Sequence, residues 1–314
     1  KPVAIYRRSG TARKYTMSLV IQLLGNGLLL GAVLALAALG LSLIFGVMDV
    51  VSFAHGTFVM LAMYAGYVLW TVAGIDPFLS ILIVAPVFFV FGIVTERLLI
   101  APIIDRPMFA QVFSTLGLLW ILEHFALFVF GPGTKSFNAG YGGLSFAGIR
   151  VEEVRLYGFI ITILVTGLLY FFLHRTKTGL GIRATTQSDT LAQPFGINVD
   201  RIYMLTFGIG IALVGVAGSV LISIQPVRPT VGNWYVLTSF VIVTLGGLGR
   251  IGGVLVAGFF IGILDSFISF YLASPLAPPI YFAIFIAVLV LRAEGVIDEL
   301  KYQFNRQVLD MGGY

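Results

Sequence analysis

Residues 174–201 read HRTKTGLGIRATTQSDTLAQPFGINVDR, which is the longest polar interruption in an otherwise apolar chain. Apolar runs at about 156–173 and 202–224 flank it, and each is close to the roughly 20 residues that a membrane-spanning helix needs. A polar stretch between two such runs lies outside the bilayer. Its basic residues predict that it faces the cytoplasm. They are Arg175, Lys177, Arg183 and Arg201.

Within this stretch, Ala184 to Phe195 is predicted to form a short amphipathic helix. Leu191 and Phe195 are four residues apart, so they share one helix face, and Ala192 lies beside them. Pro194 and the following glycine favour an end to the helix there. Such a helix suits docking onto a soluble partner, although a solvated connector between two spans explains the same spacing.

Composition identifies the class of protein. The chain has 314 residues, of which 59% are hydrophobic and 11% charged, and its mean hydropathy is +1.02. These values predict an all-α, polytopic transmembrane bundle surrounded by membrane lipid. The absence of cysteine excludes disulfides and thiolate metal sites. The net charge of +5 comes mostly from residues at the ends of apolar runs, so it predicts topology rather than nucleic-acid binding.

The apolar runs predict eight or nine membrane crossings, and the shortest run, at 235–248, is the uncertain one. The domain organisation follows as a basic tail or leader at 1–18, a transmembrane domain at 19–297 that contains the cytoplasmic loop 174–201, and a cytoplasmic tail at 298–314. The runs fall at about 19–47, 56–73, 78–100, 108–130, 156–173, 202–224, 235–248, 251–273 and 279–292.

Counting crossings from the polar loop predicts which side each connection faces. Val51 to Gly56 and Arg250 fall on the cytoplasmic side, and Gly131 to Arg155 falls outside. The basic residues in 1–16 then face outward, against the positive-inside rule, unless they form a non-native leader or the run 19–47 bends back on itself. The outer loop is rich in glycine and long enough to pair as a small hairpin.

Polar residues inside apolar runs are the candidates for a solute path, because such residues face the bundle interior or water. Glu123 is next to His124, which suggests either a proton relay or a polar lining. Small residues four apart predict close helix contacts. The path candidates are Asn26, Ser42, Gln111, Ser114, Thr115, Glu123 and Thr238, and the helix-packing glycines are Gly27, Gly31, Gly258 and Gly262.

Catalytic and nucleotide-binding motifs do not account for the chain. Residues 247–252 fit the letters of a dinucleotide fingerprint, but no strand precedes them. The sequence has no Walker A motif, so an ATP-driven function requires a separate subunit. No nucleophile–base pair or metal-ligand spacing is present, which predicts a transport subunit with no cofactor of its own rather than an enzyme.

Several motifs, in order from about Leu23 to Ile297, resemble the LivH/LivM permeases, the membrane subunits of branched-chain amino acid ABC importers. The similarity is closer to LivH. The motifs are Leu39–Val47 (LGLSLIFGV), Val51–Gly56 (VSFAHG), Glu96-Arg97, Ser114–Leu118 (STLGL), Phe130-Gly131, Arg183–Gln187 (RATTQ), Gly196-Ile197 and Leu245–Gly249 (LGGLG).

The resemblance implies an inner-membrane complex of this chain with a second, LivM-like permease, two ATPase subunits that bind ATP and Mg²⁺, and a periplasmic substrate-binding protein. It also implies that Arg183 to Ile197 docks on the ATPases, and we call these residues the coupling segment. The residues expected to take part are Arg183, Ala184, Leu191, Ala192, Phe195, Gly196 and Ile197.

The substrate class stays open within this family. Branched-chain or other amino acids are expected, but Thr185-Thr186-Gln187 also resembles the urea permeases, so urea, amides or small organic acids are alternatives. A stand-alone secondary transporter is the alternative from another class. It needs an intramembrane charge couple or inverted repeats, and the sequence gives no clear sign of either.

Overall fold

A computed structural model describes residues 11–137, 140–146, 149–272 and 276–293. The predicted tail at 298–314 and most of the predicted leader lie outside these residues. The described residues form eleven α-helices and one β-hairpin. They are α1 (Thr11–Met48), α2 (His55–Ala73), α3 (Pro77–Thr95), α4 (Met108–Phe130), β1 (Gly143–Phe146), β2 (Ile149–Glu152), α5 (Glu153–Arg175), α6 (Lys177–Gln187), α7 (Asp189–Ala192), α8 (Val199–Ile224), α9 (Gly232–Gly246), α10 (Ile251–Tyr271) and α11 (Ala277–Ala293).

A helix lies in each of the nine predicted apolar runs. Seven helices of the described residues are long and apolar enough to cross a membrane, namely α1, α2, α3 with the turns that continue it to Ile103, α4, α5, α8 and α10. The chain is therefore a polytopic helical membrane protein, as predicted. The count of eight or nine crossings stays a prediction, because α9 and α11 have only 15 and 17 residues.

The two central helices are α1 and α8. Their most apolar windows are 83% and 78% buried within the chain, against 17% for α4 at the periphery. They run antiparallel. Gly40 of α1 lies against Gly210 of α8, whereas Val33, earlier in α1, and Val220, later in α8, both lie beside Gly158 of α5. The end of α1 and the start of α8 are therefore at the same end of the bundle, the end that carries the polar loop.

The contact between α1 and α10 depends on the two predicted pairs of glycines. Gly31 lies against Gly258, and a Cβ added to Gly31 would be 2.5 Å from the Gly258 carbonyl oxygen. Gly27 lies against Gly262 in the same way, with 2.3 Å from a Cβ on Gly262 to the Gly27 carbonyl oxygen. Both distances are shorter than any van der Waals contact, so the backbones approach as closely as only glycine permits.

Residues 49–54 turn back into the bundle after α1 ends, and we call them the first return segment. The His55 Nε2 is 2.9 Å from the carbonyl oxygen of Ala37, which is eleven residues before Met48. At a rise of 1.5 Å per residue, the carbonyl that the His55 ring reaches lies about 16 Å inside the end of α1, so α2 begins within the bundle. The prediction that Val51 to Gly56 lies at the cytoplasmic face is therefore wrong, because this segment is packed within the bundle.

A second return segment, residues 225–231, follows α8 at the opposite end of the bundle. It leads to Gly232, the first residue of α9, which lies directly against Gly56 and Thr57 in the first turn of α2. The chain then runs through α9 to Gly249, whose N–H donates to the Ser42 Oγ near the end of α1. Two helices thus start in the middle of the bundle and meet there, each preceded by a return segment from one end.

The predicted hairpin of the Gly-rich loop is confirmed. Strands β1 and β2 pair antiparallel, with Gly143 opposite Glu152. The loop packs on the helices through Tyr141, whose ring contacts Phe78 edge-on and whose hydroxyl donates to an oxygen of Asp76. Burial raises the pKa of Tyr141, and the hydrogen bond to Asp76 raises it further.

Candidate translocation path and coupling segment

The coupling segment differs in one respect from the single helix predicted for Ala184 to Phe195. Helix α6 ends at Gln187 and Ser188 is extended, with φ −167°. The Ser188 Oγ accepts a hydrogen bond from the Leu191 N–H at 3.2 Å, so it caps the start of α7, which continues as a 3₁₀ turn to Phe195. The continuous helix is therefore wrong. A serine followed by an acidic residue favours a new helix start over an uninterrupted one.

Two apolar side chains of this segment face outward. Leu191 is 68% exposed and Phe195 85% exposed, although both are large and apolar. Ala192 is 3% exposed, so it is wrong to place it on the same open face. Gly196 ends the 3₁₀ turn with φ +80°, a conformation that glycine adopts without strain. Of the other predicted docking residues, Arg183 is exposed, and Ala184 and Ile197 are half-buried.

Helix α6, whose second half forms the start of the coupling segment, packs on the membrane helices behind it through the residues just before that segment. Ile182 is 1% exposed, and the backbone of Gly181 packs against Ile202 in α8. At the other side, Gly179 lies directly on Leu173 of α5. A displacement of α6 would therefore move the adjoining ends of α5 and α8 with it.

Three of the path candidates are buried and bind backbone carbonyls or amides. Ser42 accepts from the Gly249 N–H at 3.1 Å. The Thr115 hydroxyl donates to Val51 in the first return segment at 3.3 Å, and the Thr238 hydroxyl donates to the carbonyl of the preceding turn of α9. Irregular backbone at membrane depth needs such partners. Thr115 therefore holds the first return segment, Ser42 holds the turn after α9, and Thr238 bonds within its own helix.

The remaining path candidates lie apart from one another. The Gln111 amide donates to the carbonyls of Ile104 and Arg106, so it closes the turn before α4. Asn26 and Ser114 are half-buried, and the Asn26 Oδ1 is buried without a hydrogen-bond partner among the described residues.

Glu123 and His124 do not interact with each other. The half-buried Glu123 carboxylate accepts a 3.4 Å hydrogen bond from Asn233 in the first turn of α9. His124 is exposed, and its Nδ1 lies 2.8 Å from the carbonyl of Trp120 in its own helix. Adjacent helix positions point in different directions, so the arrangement favours a polar lining at Glu123 over a relay between the two residues.

One pocket of about 430 Å³ was not predicted from the sequence. It opens beside the second return segment, between the end of α8, the start of α9 and α10. Arg228 and Trp234 lie outside the runs in which polar path residues were sought, and Asp265 is an intramembrane acid without an evident partner in the sequence. The lining residues are Thr134, Gln225, Pro226, Arg228, Val231, Trp234, Asp265 and Ser269.

A second pocket, of about 460 Å³, lies at the other end of the bundle beside the start of α8. Glu96, 4% exposed, and Arg97 line it together with Asp105, Asp200 and Arg201. Its mixed charges lie next to the coupling segment, since Asp200 is in the first turn of α8. This placement suits an inner surface that changes shape with that segment.

Comparison with known proteins identifies relatives along nearly the whole chain. Residues 23–293 match the family model described as the permease component of branched-chain amino acid transport systems. A probable branched-chain amino acid transport permease protein LivH of Methanocaldococcus jannaschii is 30% identical over 80% of this chain and 82% of its own. The LivH permease of Salmonella typhimurium is 26% identical, and the BraD permease of Pseudomonas aeruginosa 27%, each over 88% of this chain and 95% of its own. No solved structure matches.

Proposed function

This chain belongs to the family of permease components of branched-chain amino acid transport systems, and we propose that it is the transmembrane subunit of an ATP-driven importer for branched-chain or related amino acids. It moves a solute and performs no covalent chemistry. We propose the inner membrane as its location. A periplasmic binding protein delivers the amino acid to it.

The proposal assigns the energy supply to separate subunits. Two ATPases bind ATP and Mg²⁺ and change shape as they close, and a second, LivM-like permease completes the path. Each ATPase engages a coupling segment, and its movement tilts the attached membrane helices between outward-open and inward-open states. Alternation between two states requires that the partner bind them unequally, and the ATP-bound closure supplies that difference.

The observation that carries the proposal is the exposed pair Leu191 and Phe195, just after α6, which packs on α8 through Gly181 and Ile202. Exposed apolar side chains of this size, grouped outside the membrane-spanning helices, favour a protein contact. Helix α8 in turn contacts α1, α2 and α3. A movement of the segment that displaces α8 would therefore also shift the central helices that α8 contacts.

Transport by the reconstituted complex tests the proposal. The chain, its companion permease and the ATPases are placed in proteoliposomes with the binding protein, and uptake of radiolabelled L-leucine is measured with and without ATP. We expect uptake only with ATP and the binding protein. Uptake driven by an ion gradient without ATP would identify a secondary transporter, and uptake of urea or of a small organic acid in place of leucine would identify one of the other substrate classes.

A further inference from the structure

The pocket beside the second return segment faces the side opposite the coupling segment. It lies at the end of α8 that is farthest from Val199, and Thr134 of the loop after α4 contributes to its wall. Its volume of about 430 Å³ is at the lower end of the roughly 300–1,000 Å³ typical of ligand pockets. It therefore suits a small solute that arrives from outside.

Two opposite charges line this pocket without neutralising each other. Arg228 is exposed, and Asp265 is half-buried with one carboxylate oxygen accepting from the Tyr281 hydroxyl. Within the described part of the chain, no ion pair shorter than 4 Å involves either of them. Arg155 attracts Asp265 at longer range, but it forms its own ion pair with Glu152. A half-buried carboxylate without a direct cation partner is costly, so a ligand that supplies one gains free energy there.

The remaining walls divide into a polar and an apolar part. Gln225 and Ser269 offer hydrogen-bonding groups, and Trp234, Val231 and Pro226 offer apolar surface. This combination matches an amino acid with an aliphatic side chain, since its carboxylate, ammonium and side chain need an anion-binding group, a cation-binding group and an apolar wall. Urea needs neither charge, and an organic acid has no use for Asp265.

We propose that this pocket is a substrate-binding site for zwitterionic amino acids within the permease itself, with Arg228 binding the carboxylate, Asp265 the ammonium group and Trp234 the aliphatic side chain. The inference rests on the proposed function and adds the residues that select the solute. Tyr281 is a positioning residue, because its hydroxyl orients the Asp265 carboxylate. The site gives the permease a selectivity of its own, after that of the binding protein.

Ligand binding to the purified pair of permeases, without the binding protein, tests the site. The chain has three tryptophans. Replacing Trp70 and Trp120 with Phe leaves Trp234, in the pocket, as its single tryptophan. The tryptophans of the companion permease are replaced as well, so that the emission reports on the pocket. The probes are L-leucine, L-leucinamide, which lacks the carboxylate, and 4-methylpentanoate, which lacks the ammonium group. We expect leucine to change the emission saturably and to bind at least about tenfold more tightly than either analogue, because each analogue forfeits a charge-assisted contact.

Substitutions then assign each charge to its partner. In Arg228→Gln, leucine and leucinamide should bind alike, while the preference over 4-methylpentanoate is kept. In Asp265→Asn, leucine and 4-methylpentanoate should bind alike, while the preference over leucinamide is kept. Such paired losses separate a direct contact from general damage, which would weaken all three probes together. The control is Lys135→Gln, which removes an outer positive charge from a residue that pairs with Val227 by its backbone.

Two binding results would overturn the site. One is a Trp234 emission that leucine leaves unchanged, and the other is a pair of variants that rank the three probes as the parent does. Neither result touches the proposed function, which fails only if the complete importer does not take up leucine with ATP. An importer that works while Arg228→Gln and Asp265→Asn transport at the parent rate therefore rejects the pocket alone.

Discussion

Replacing both exposed apolar residues of the coupling segment with aspartate, as Leu191→Asp with Phe195→Asp, should release the ATPase subunits while leaving the permease folded. Neither side chain has a buried role in the chain, since Leu191 is 68% and Phe195 85% exposed. Membrane insertion and helix packing should therefore survive the change. The loss should appear only in the complex.

The size of the effect follows from the area that docking would remove from water. Full burial of a Leu or Phe side chain is worth roughly 1.5–3 kcal/mol. Scaled by the exposed fractions, the two residues together contribute roughly 2–5 kcal/mol to docking. Each 1.4 kcal/mol is tenfold, so ATPase affinity should fall between about 30-fold and a few thousandfold.

The matched control is Thr190→Asp with Gln193→Asp. Both residues are exposed and lie in the same short segment, so the control adds the same two negative charges without removing apolar surface. Pull-down of the ATPases with each double variant, beside ATP-dependent uptake in proteoliposomes, gives the comparison. If the apolar double variant retains its ATPases and its uptake, the segment is only a connector, and if the control loses both to the same degree, charge rather than apolar burial explains the effect.

Three further predictions concern topology, the path and helix packing. Because the chain has no native cysteine, an impermeant maleimide should label a cysteine at Gly133 only from outside and one at Arg250 only from inside; the reverse pattern refutes the topology. Glu123→Leu, which removes the acceptor for the Asn233 amide, should lower uptake without lowering the yield of folded permease, and normal uptake would make Glu123 a bystander. Gly258→Val forces a Cβ to within 2.4 Å of its neighbour and should cost roughly 1–3 kcal/mol, seen as a lower Tm in detergent, whereas Gly167→Val, where a Cβ meets nothing within 4 Å, should leave Tm unchanged.

The helices could be predicted from the sequence because each depends on a local pattern. An apolar run of sufficient length specifies a membrane helix with little reference to the rest of the chain, and all nine runs carry one. The glycine pairs were likewise readable as spacings, although only the structure shows that Gly27 and Gly31 face Gly258 and Gly262.

The return segments could not be predicted, because nothing local marks their depth. Residues 51–56 read as a short connection of ordinary composition, and their position depends on Gly56 meeting Gly232 from a distant part of the chain. The pocket could not be predicted for a related reason. Arg228 and Asp265 come from a loop and a helix that only tertiary packing brings to one cavity.

The break in the coupling segment is a different kind of error, since its signal was present. Ser188 followed by Asp189 is a strong helix start, whereas the spacing of Leu191 and Phe195 favours one continuous helix. Where a capping signal and a short apolar spacing disagree, the cap satisfies backbone N–H groups that otherwise lack partners, and the spacing over one turn specifies little.

The contact between the helix starts at Gly56 and Gly232 bears on the ion permeability of the membrane. A Cβ on Gly56 would be only 2.1 Å from the Gly232 carbonyl oxygen, so no file of water fits between these two backbones. We expect protons and sodium ions to find no conduit between α2 and α9, the two helices that start within the bundle. A bacterium that overproduces this protein without its companions should then keep its membrane voltage, as a voltage-sensitive dye would report.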